Sequence, residues 1–66
     1  MVIKMTLDEI RKNKPDGATH YEISDGSVSY LLNDEGHWMG ADGEGNWWNL
    51  FSGDFPYYEQ NAKPLY

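Results

Sequence analysis

The segment DGEGN carries oxygen-bearing side chains at alternate positions, Asp42, Glu44 and Asn46. This spacing matches the first ligand positions of the calcium-binding loop that lies between two helices, because Ca²⁺ takes carboxylate and amide oxygens as ligands. Such a loop also needs Gly at its sixth position and Glu at its twelfth, and this chain has Trp47 and Gly53 there. The segment therefore predicts a glycine-rich hairpin turn in place of a calcium site.

The two histidines, His20 and His37, are the residues best suited to bind zinc. The chain contains no cysteine, which excludes disulfides and thiolate ligands and fits a reducing compartment. No third ligand follows the spacing of a zinc site. The sequence therefore predicts no metal and no cofactor.

Groups that could catalyse a reaction lack the arrangement that catalysis needs. Paired carboxylates act on a substrate enclosed in a cleft, for which a sheet domain of 66 residues has little room. A serine nucleophile needs a strained turn and a histidine–acid partner. The serines lie beside predicted turns or on predicted strands without such partners: Ser24, Ser27, Ser29 and Ser52. The protein is predicted not to be an enzyme.

Charge is distributed unevenly along the chain, whose formal net charge is −6. No Lys or Arg lies between Pro15 and Ala62, whereas nine of the eleven acidic residues lie there. Direct contact with nucleic acid is disfavoured, because that affinity depends on cations that neutralise phosphates. Such an acidic body either keeps a protein in solution or attracts a basic partner. The carboxylates predicted to meet a partner are Glu22, Asp34, Glu35, Asp42 and Glu44.

Aromatic side chains must supply much of the core of so short a chain. Each ring buries roughly 150–250 Å², and there are ten, including Trp38, Trp47 and Trp48. Trp and Tyr are also the residues that dominate protein interfaces. We therefore predict that the three tryptophans anchor a partner, with one or two of them also contributing to the core.

The elements that position these groups begin with a short helix. Thr6 is a suitable N-cap, and Glu9 follows at the spacing of a capping box. Met5 and Ile10 form an apolar stripe, and the helix should end before Pro15. A helix this short is unstable alone and must pack on another element.

A hairpin follows, because the Asp-Gly pair at 25–26 lies between two alternating runs. Counting outward from this turn pairs Ile23 with Val28 and Tyr21 with Tyr30. We predict that these residues, extended by Thr19 and Leu32, form the core face. The opposite face then carries His20, Glu22, Ser29 and Leu31.

The turn at 34–36 is predicted to start a second hairpin. Counted as a three-residue turn, it places Trp38 beside Leu32 and Met39 beside Leu31. A further glycine-rich turn returns the chain through a fourth strand within residues 46–51, and either register of that strand leaves aromatic rings on both faces. One short helix can cover only one of those faces.

These elements predict one domain of the α+β class, with a short N-terminal helix packed on a three- to four-stranded antiparallel β-meander. Pro56 and Pro64 argue against a further central strand. The C-terminal part is therefore predicted as an extended tail across an exposed sheet face or edge. The predicted boundaries are 1–14 for the helix segment, 18–52 for the sheet and 53–66 for the tail.

The segments KPDGATHYEI, YLLNDEGHWM and GNWWNL, within residues 14–50, resemble a group of short uncharacterised proteins of tailed bacteriophages and prophages. Those proteins carry a P-x-G-A-T-H-Y/W opening and Trp-rich hairpins. The resemblance implies a phage origin and expression in the bacterial cytoplasm, and it brings no catalytic residue. Many small acidic phage proteins inhibit host machinery, among them anti-restriction, anti-CRISPR and uracil-DNA glycosylase inhibitors, some of which mimic DNA.

The sequence thus predicts a phage-encoded, non-enzymatic inhibitor of a host nucleic-acid-handling or defence protein, acting by acidic DNA mimicry with aromatic anchors. One alternative is a small carbohydrate-binding or virion accessory module. Another is an acidic structural homodimer. No apolar run reaches the ~20 residues of a membrane span, and the start lacks a signal-peptide pattern, so we predict a soluble protein of the host cytoplasm.

Overall fold

The computed structural model describes residues 6–66, which form two short helices and a five-stranded antiparallel sheet. The elements are α1 (Leu7–Lys12), β1 (His20–Ser24), β2 (Ser27–Asp34), β3 (His37–Ala41), β4 (Trp47–Asn49), α2 (Phe55–Asn61) and β5 (Lys63–Pro64). The strand order in the sheet is β4-β3-β2-β1-β5. The predicted α+β class, with an N-terminal helix and an antiparallel meander, is confirmed. Neither helix in this range is long and apolar enough to cross a membrane.

Helix α1 begins and ends where the sequence predicts. The hydroxyl oxygen of Thr6 accepts a hydrogen bond from the backbone N–H of Glu9 at 3.2 Å, so one free donor of the first turn is satisfied. Asp8 lies in the first turn and Lys12 in the last, as the helix dipole favours. Ile10 is its buried residue, whereas Met5 of the predicted stripe lies outside the described residues.

The first hairpin has the predicted register, with Tyr21 opposite Tyr30 and Ile23 opposite Val28. Its two turn residues both have positive φ, 51° at Asp25 and 77° at Gly26. This backbone matches the twist of the flanking strands. The Asp-Gly pair therefore fixes the register of β1 and β2 locally.

The second hairpin differs from the prediction by one residue. The turn consists of Glu35 and Gly36, with φ of 52° and 93°, and is as tight as the first. Leu32 therefore lies opposite Met39, so the prediction that Trp38 lies beside Leu32 was wrong, as was the pairing of Met39 with Leu31. Because a shift of one residue exchanges the faces of a strand, Trp38 shares a face with Leu31.

The front face of the sheet is closed by α1 and by loop and C-terminal residues. We define it by Tyr21, Val28, Tyr30, Leu32 and Trp47, which the pairing places on one side. Ile10, Ala18 and Leu65 form a buried cluster against it, with Leu65 fully inaccessible. The hydroxyl of Tyr30 donates to the carbonyl of Ile10 at 2.8 Å, which ties α1 to the centre of the sheet.

The back face also contributes to the core, contrary to the prediction of a single core face. We define it by Glu22, Leu31, Trp38, Gly40 and Trp48. Leu31 and Trp38 are only 4% and 3% exposed, whereas Ile23 on the predicted core face is 54% exposed. Helix α2 lies against this side, where Tyr58 contacts Trp38. Both faces of the sheet are therefore covered, each by a different helix.

The C-terminal part is not the extended tail that the sequence predicted. After a single 3-10 turn at Ser52–Asp54, residues 55–61 form α2. Pro56 falls in the first turn of this helix, where a missing N–H costs no intrahelical hydrogen bond. Pro64 lies in β5 at the sheet edge, and the backbone N–H of Leu65 donates to the carbonyl of Thr19 at 3.0 Å. The prolines excluded a central strand but not a helix.

Candidate partner-binding surface

A pocket of about 220 Å³ opens on the back face, and we refer to it as the back-face pocket. Its wall combines one carboxylate with aliphatic and aromatic groups from the sheet and α2. The residues that line it include Glu22, Leu31, Gly40, Trp48, Leu50 and Tyr58. Four strands, the segment after β4 and helix α2 supply them, so the pocket exists only in the folded chain.

Gly40 allows the chain after β4 to approach the floor of the pocket closely. A Cβ atom built at Gly40 would lie 3.2 Å from Cδ2 of Leu50, which is a tight contact. The backbone N–H of Leu50 donates to the carbonyl of Trp38 at 3.2 Å. The segment that follows β4 is thereby held over β3, with Leu50 beside the pocket.

Glu22 places a carboxylate in the wall of this pocket. Its Oε2 atom is buried and has no hydrogen-bond partner among residues 6–66. Hydrogen bonding between the Tyr57 phenol and the Glu22 side chain raises the pKa of Tyr57. Partial burial and the negative charge of Glu22 raise it further. One carboxylate oxygen thus remains without a donor, which is costly for a buried acceptor.

Aromatic rings surround the inner side of the pocket. The ring centroids of Trp38 and Tyr58 lie 6.0 Å apart, and His20 meets Trp38 edge-on at 4.9 Å. Burial raises the pKa of Tyr58, to which the charges of Asp54 and Glu22 add, and burial lowers the pKa of His20. This environment disfavours charge on its own titratable groups.

The three predicted tryptophan anchors occupy three different environments. Trp38 is 3% exposed and therefore offers no surface to a partner. Trp47 packs on the front-face cluster, and its indole N–H donates to the carbonyl of Asp16 at 3.0 Å. Trp48 is 63% exposed at the rim of the back-face pocket. Trp48 is thus the tryptophan that a partner can contact over most of its ring.

The predicted carboxylates do not form one cluster. Asp34 and Glu35 lie at the β2–β3 turn, whereas Asp42 and Glu44 lie at the β3–β4 loop. These turns are at opposite ends of β3, whose five residues span about 17 Å. Glu22 lies on the back face opposite Ser29, toward the end of the sheet that holds the β3–β4 loop. The structure therefore presents two acidic ends, with Glu22 on the back face near the end that holds Asp42 and Glu44.

Asp42 has a structural role in its loop. Its Oδ1 accepts from the backbone N–H groups of Glu44 at 2.7 Å and Asn46 at 3.1 Å, and its Oδ2 accepts from the Asn46 amide at 3.0 Å. These bonds hold the pKa of Asp42 below its usual value, and the bond from Glu44 has the largest effect. The DGEGN segment is a hairpin loop closed by Asp42. Within residues 6–66, no three His, Asp or Glu side chains lie close enough together to hold a metal.

The negative charge of the sheet is not neutralised by ion pairs. Across the part of the chain that the structure describes, one ion pair is present, between Asp8 and Arg11 at 3.9 Å. Arg11 also donates to the carbonyl of Leu65, and its guanidinium lies 5.2 Å from the centre of the Tyr66 ring. The carboxylates from Asp16 to Glu59 thus have no cationic side chain within 4 Å in the described residues.

Sequence reasoning missed the contribution of α2 to this surface. Tyr57 and Tyr58 were assigned to an extended tail, whereas the helix directs Tyr58 to Trp38 and brings Tyr57 to Glu22. The two tyrosines follow directly after Pro56, and a proline in the first turn followed by aromatic residues was the available signal for a packed helix. Leu50 was assigned to a strand but not to a site.

Comparison of the chain with protein-family models, with curated proteins and with solved structures found no match. The resemblance to short phage proteins therefore stays a prediction.

Proposed function

We propose that the protein is a phage-encoded, non-enzymatic inhibitor that binds a basic surface of a host nucleic-acid-handling or defence protein in the bacterial cytoplasm. Anti-restriction and anti-CRISPR proteins are inhibitors of this type. The observation that carries the proposal is the acidic segment from Asp16 to Glu59, whose carboxylates lack ion-pair partners among the described residues. Such a surface has a negative field, not cancelled by ion pairs within the described residues, that attracts a basic protein at low ionic strength.

The arrangement of the charged and aromatic groups supports binding through the back face. Asp34 and Glu35 at one end and Glu44 at the other are exposed, and Trp48 lies between the ends. The carboxylates can occupy cation sites that otherwise bind phosphates. Trp48 can supply the desolvated aromatic contact that dominates many interfaces. Charge then directs the encounter, and the tryptophan contributes to the lifetime of the complex.

The partner can be sought by affinity capture of the tagged protein from nuclease-treated bacterial lysate. The resin is washed first at low and then at high salt, and the retained proteins are identified by mass spectrometry. We expect a basic nucleic-acid-binding protein that is retained at low salt and released at high salt. Retention of no protein would contradict the proposal. Retention only of untagged copies of this chain would also contradict it and would indicate a homodimer.

Two pairs of substitutions with equal charge change test whether the acidic turn steers binding to the captured partner. Asp34→Asn with Glu35→Gln should slow association severalfold at low salt, because steering acts on the on-rate. Asp54→Asn with Glu59→Gln changes exposed acids beside and within α2 and serves as the control. Equal association rates for the two variants would exclude a specific role of the β2–β3 turn.

A carbohydrate-binding function is the second candidate, because Trp48 is 63% exposed. An exposed indole ring can stack on a sugar. Salt distinguishes the two candidates: binding to a neutral glycan should persist at high ionic strength, whereas charge-steered protein binding should weaken. A screen of the purified protein on neutral glycans at both salt concentrations makes this measurement.

A further inference from the structure

We infer that the back-face pocket binds the guanidinium group of an arginine side chain, which inserts between Glu22, Trp48 and Tyr58. The inference rests on the proposed function for its biological meaning, since the arginine would belong to the basic partner. The pocket itself can be tested with a free arginine derivative, whether or not a partner is known.

The first reason is the unsatisfied carboxylate oxygen. Oε2 of Glu22 is buried without a hydrogen-bond donor among the described residues, in a side chain that lines the pocket. A buried acceptor without a donor requires an explanation, and an N–H donor that enters the pocket would supply one. Because the acceptor is a carboxylate, a cationic donor gives the stronger bond.

The second reason is the aromatic lining. Trp48 and Tyr58 both border the pocket, and the face of an aromatic ring attracts a cation that lies within about 6 Å of its centre. Arginine suits this wall better than lysine, because its planar guanidinium stacks on rings while its edge donates N–H groups to a carboxylate. The same planar group can therefore use the rings and Glu22 together.

The third reason is the shape and accessibility of the pocket. Its volume of about 220 Å³ is sufficient for a guanidinium and the methylenes beside it, and the aliphatic side chains of Leu31 and Leu50 line the wall along which those methylenes would lie. The exposed Trp48 forms the rim. Arg11, the arginine of this chain, is held at Leu65 and Tyr66 on the other side of the molecule.

The experiment is a titration of the ¹⁵N-labelled protein with N-acetyl-L-arginine methylamide, followed by NMR at constant ionic strength. We expect saturable shifts of the Trp48 indole signal and of the amide signals around Glu22, with a dissociation constant on the order of millimolar. N-acetyl-L-norleucine methylamide is the neutral control. It has a similar aliphatic stem and should give no saturable shifts at these positions.

A matched pair of variants separates the pocket from general acidity. Glu22→Gln keeps the shape of the side chain and should weaken binding of the arginine derivative about tenfold, because a charged hydrogen bond is lost. Glu59→Gln removes the same charge at an exposed position of α2 that does not line the pocket and should leave binding unchanged. The dispersion of each variant's NMR spectrum reports whether it is folded.

The outcomes separate this inference from the proposed function. Equal binding of the arginine and norleucine derivatives, or equal weakening by the two Gln variants, would overturn the arginine site. Saturable binding that requires Glu22 supports the site even if affinity capture retains no partner, in which case only the proposed inhibitor function fails. A captured partner whose binding is unaffected by Glu22→Gln, with no binding of the arginine derivative, keeps the function and rejects the pocket.

Discussion

The two faces of the sheet bury apolar surface in different ways. The front face holds a cluster around the fully buried Leu65, and the polar groups of Tyr30 and Trp47 there donate to backbone carbonyls. On the back face, the indole Nε1 of Trp38 is buried without a hydrogen-bond partner among residues 6–66. One carboxylate oxygen of Glu22 is also buried there without a partner. The front face is satisfied internally, whereas the back face is not.

This difference indicates where stability is concentrated and which face the proposed binding would use. Domains of this size bury only about 60% of the surface that the unfolded chain exposes, so every well-packed residue contributes a large part of the net stability. The front face has the contacts expected of such a structural core. The back face keeps a buried carboxylate oxygen without a donor among residues 6–66 and an exposed tryptophan, features that lower stability unless a ligand uses them.

The largest expected effect is the loss of the front-face core in Leu65→Ala. Leu65 is completely inaccessible, so its truncation should lower the free energy of unfolding by about 2–5 kcal/mol through lost burial and a residual cavity. Tyr66→Ala is the control, because Tyr66 is 80% exposed. Urea unfolding followed by tryptophan fluorescence measures both variants. Similar losses for the two would show that Leu65 is not a centre of stability.

A smaller effect is expected for Tyr30→Phe, which removes one front-face hydrogen bond without changing the ring. The carbonyl of Ile10 loses its bond from the Tyr30 hydroxyl, and we expect a loss of about 1 kcal/mol. Tyr66→Phe also removes a hydroxyl and is the matched control, with no measurable loss expected. Urea unfolding is again the measurement, and a neutral Tyr30→Phe would mean that this bond does not hold α1 on the sheet.

The pH dependence reports on the back face through His20. Burial lowers the pKa of His20 in the folded state below its ordinary value of 6.5, so the unfolded chain binds the proton more readily. Stability is therefore complete above pH 6.5 and decreases as the pH falls through this value toward the folded-state pKa. Thermal unfolding between pH 7 and pH 5 should show the decrease. His20→Gln should reduce it, and an unchanged slope would contradict the assignment.

The smallest stability effect is expected on the back face itself. Glu22→Gln should not lower the free energy of unfolding, because the buried oxygen of Glu22 has no described partner to lose and an unpaired buried acceptor is itself costly. The same variant should still weaken the binding of arginine. A loss comparable to that of Tyr30→Phe would place Glu22 among the stabilising residues and remove the distinction between the faces.

Local signals in the sequence predicted the parts of the fold that depend on neighbouring residues. The N-cap of α1 and the first hairpin are set within a few positions by Thr6 and by the Asp25-Gly26 turn. The second hairpin was misaligned because a two-residue and a three-residue turn are both compatible with Asp34-Glu35-Gly36. A single residue in the turn length then moved Trp38 to the other face.

The candidate site was predicted only in fragments, because it depends on contacts between distant segments. Glu22 and Trp48 were named from charge and aromatic character, but their position in one pocket depends on the pairing of four strands. Tyr58 reaches the pocket through α2, which was predicted as an extended tail. The burial of Trp38 depends on both of these features, and no local pattern distinguishes it from Trp48.

The contact of α1 with Leu65 also sets the order in which the chain can complete its fold. Arg11 and Leu65 are 54 positions apart, and contacts of such separation form after local hairpins, because closing a long loop costs entropy first. Ile10 and Ala18 therefore stay uncovered until Leu65 has been synthesised and docked. Products that end before this residue would keep the front face open to proteases, so degradation would select for complete chains.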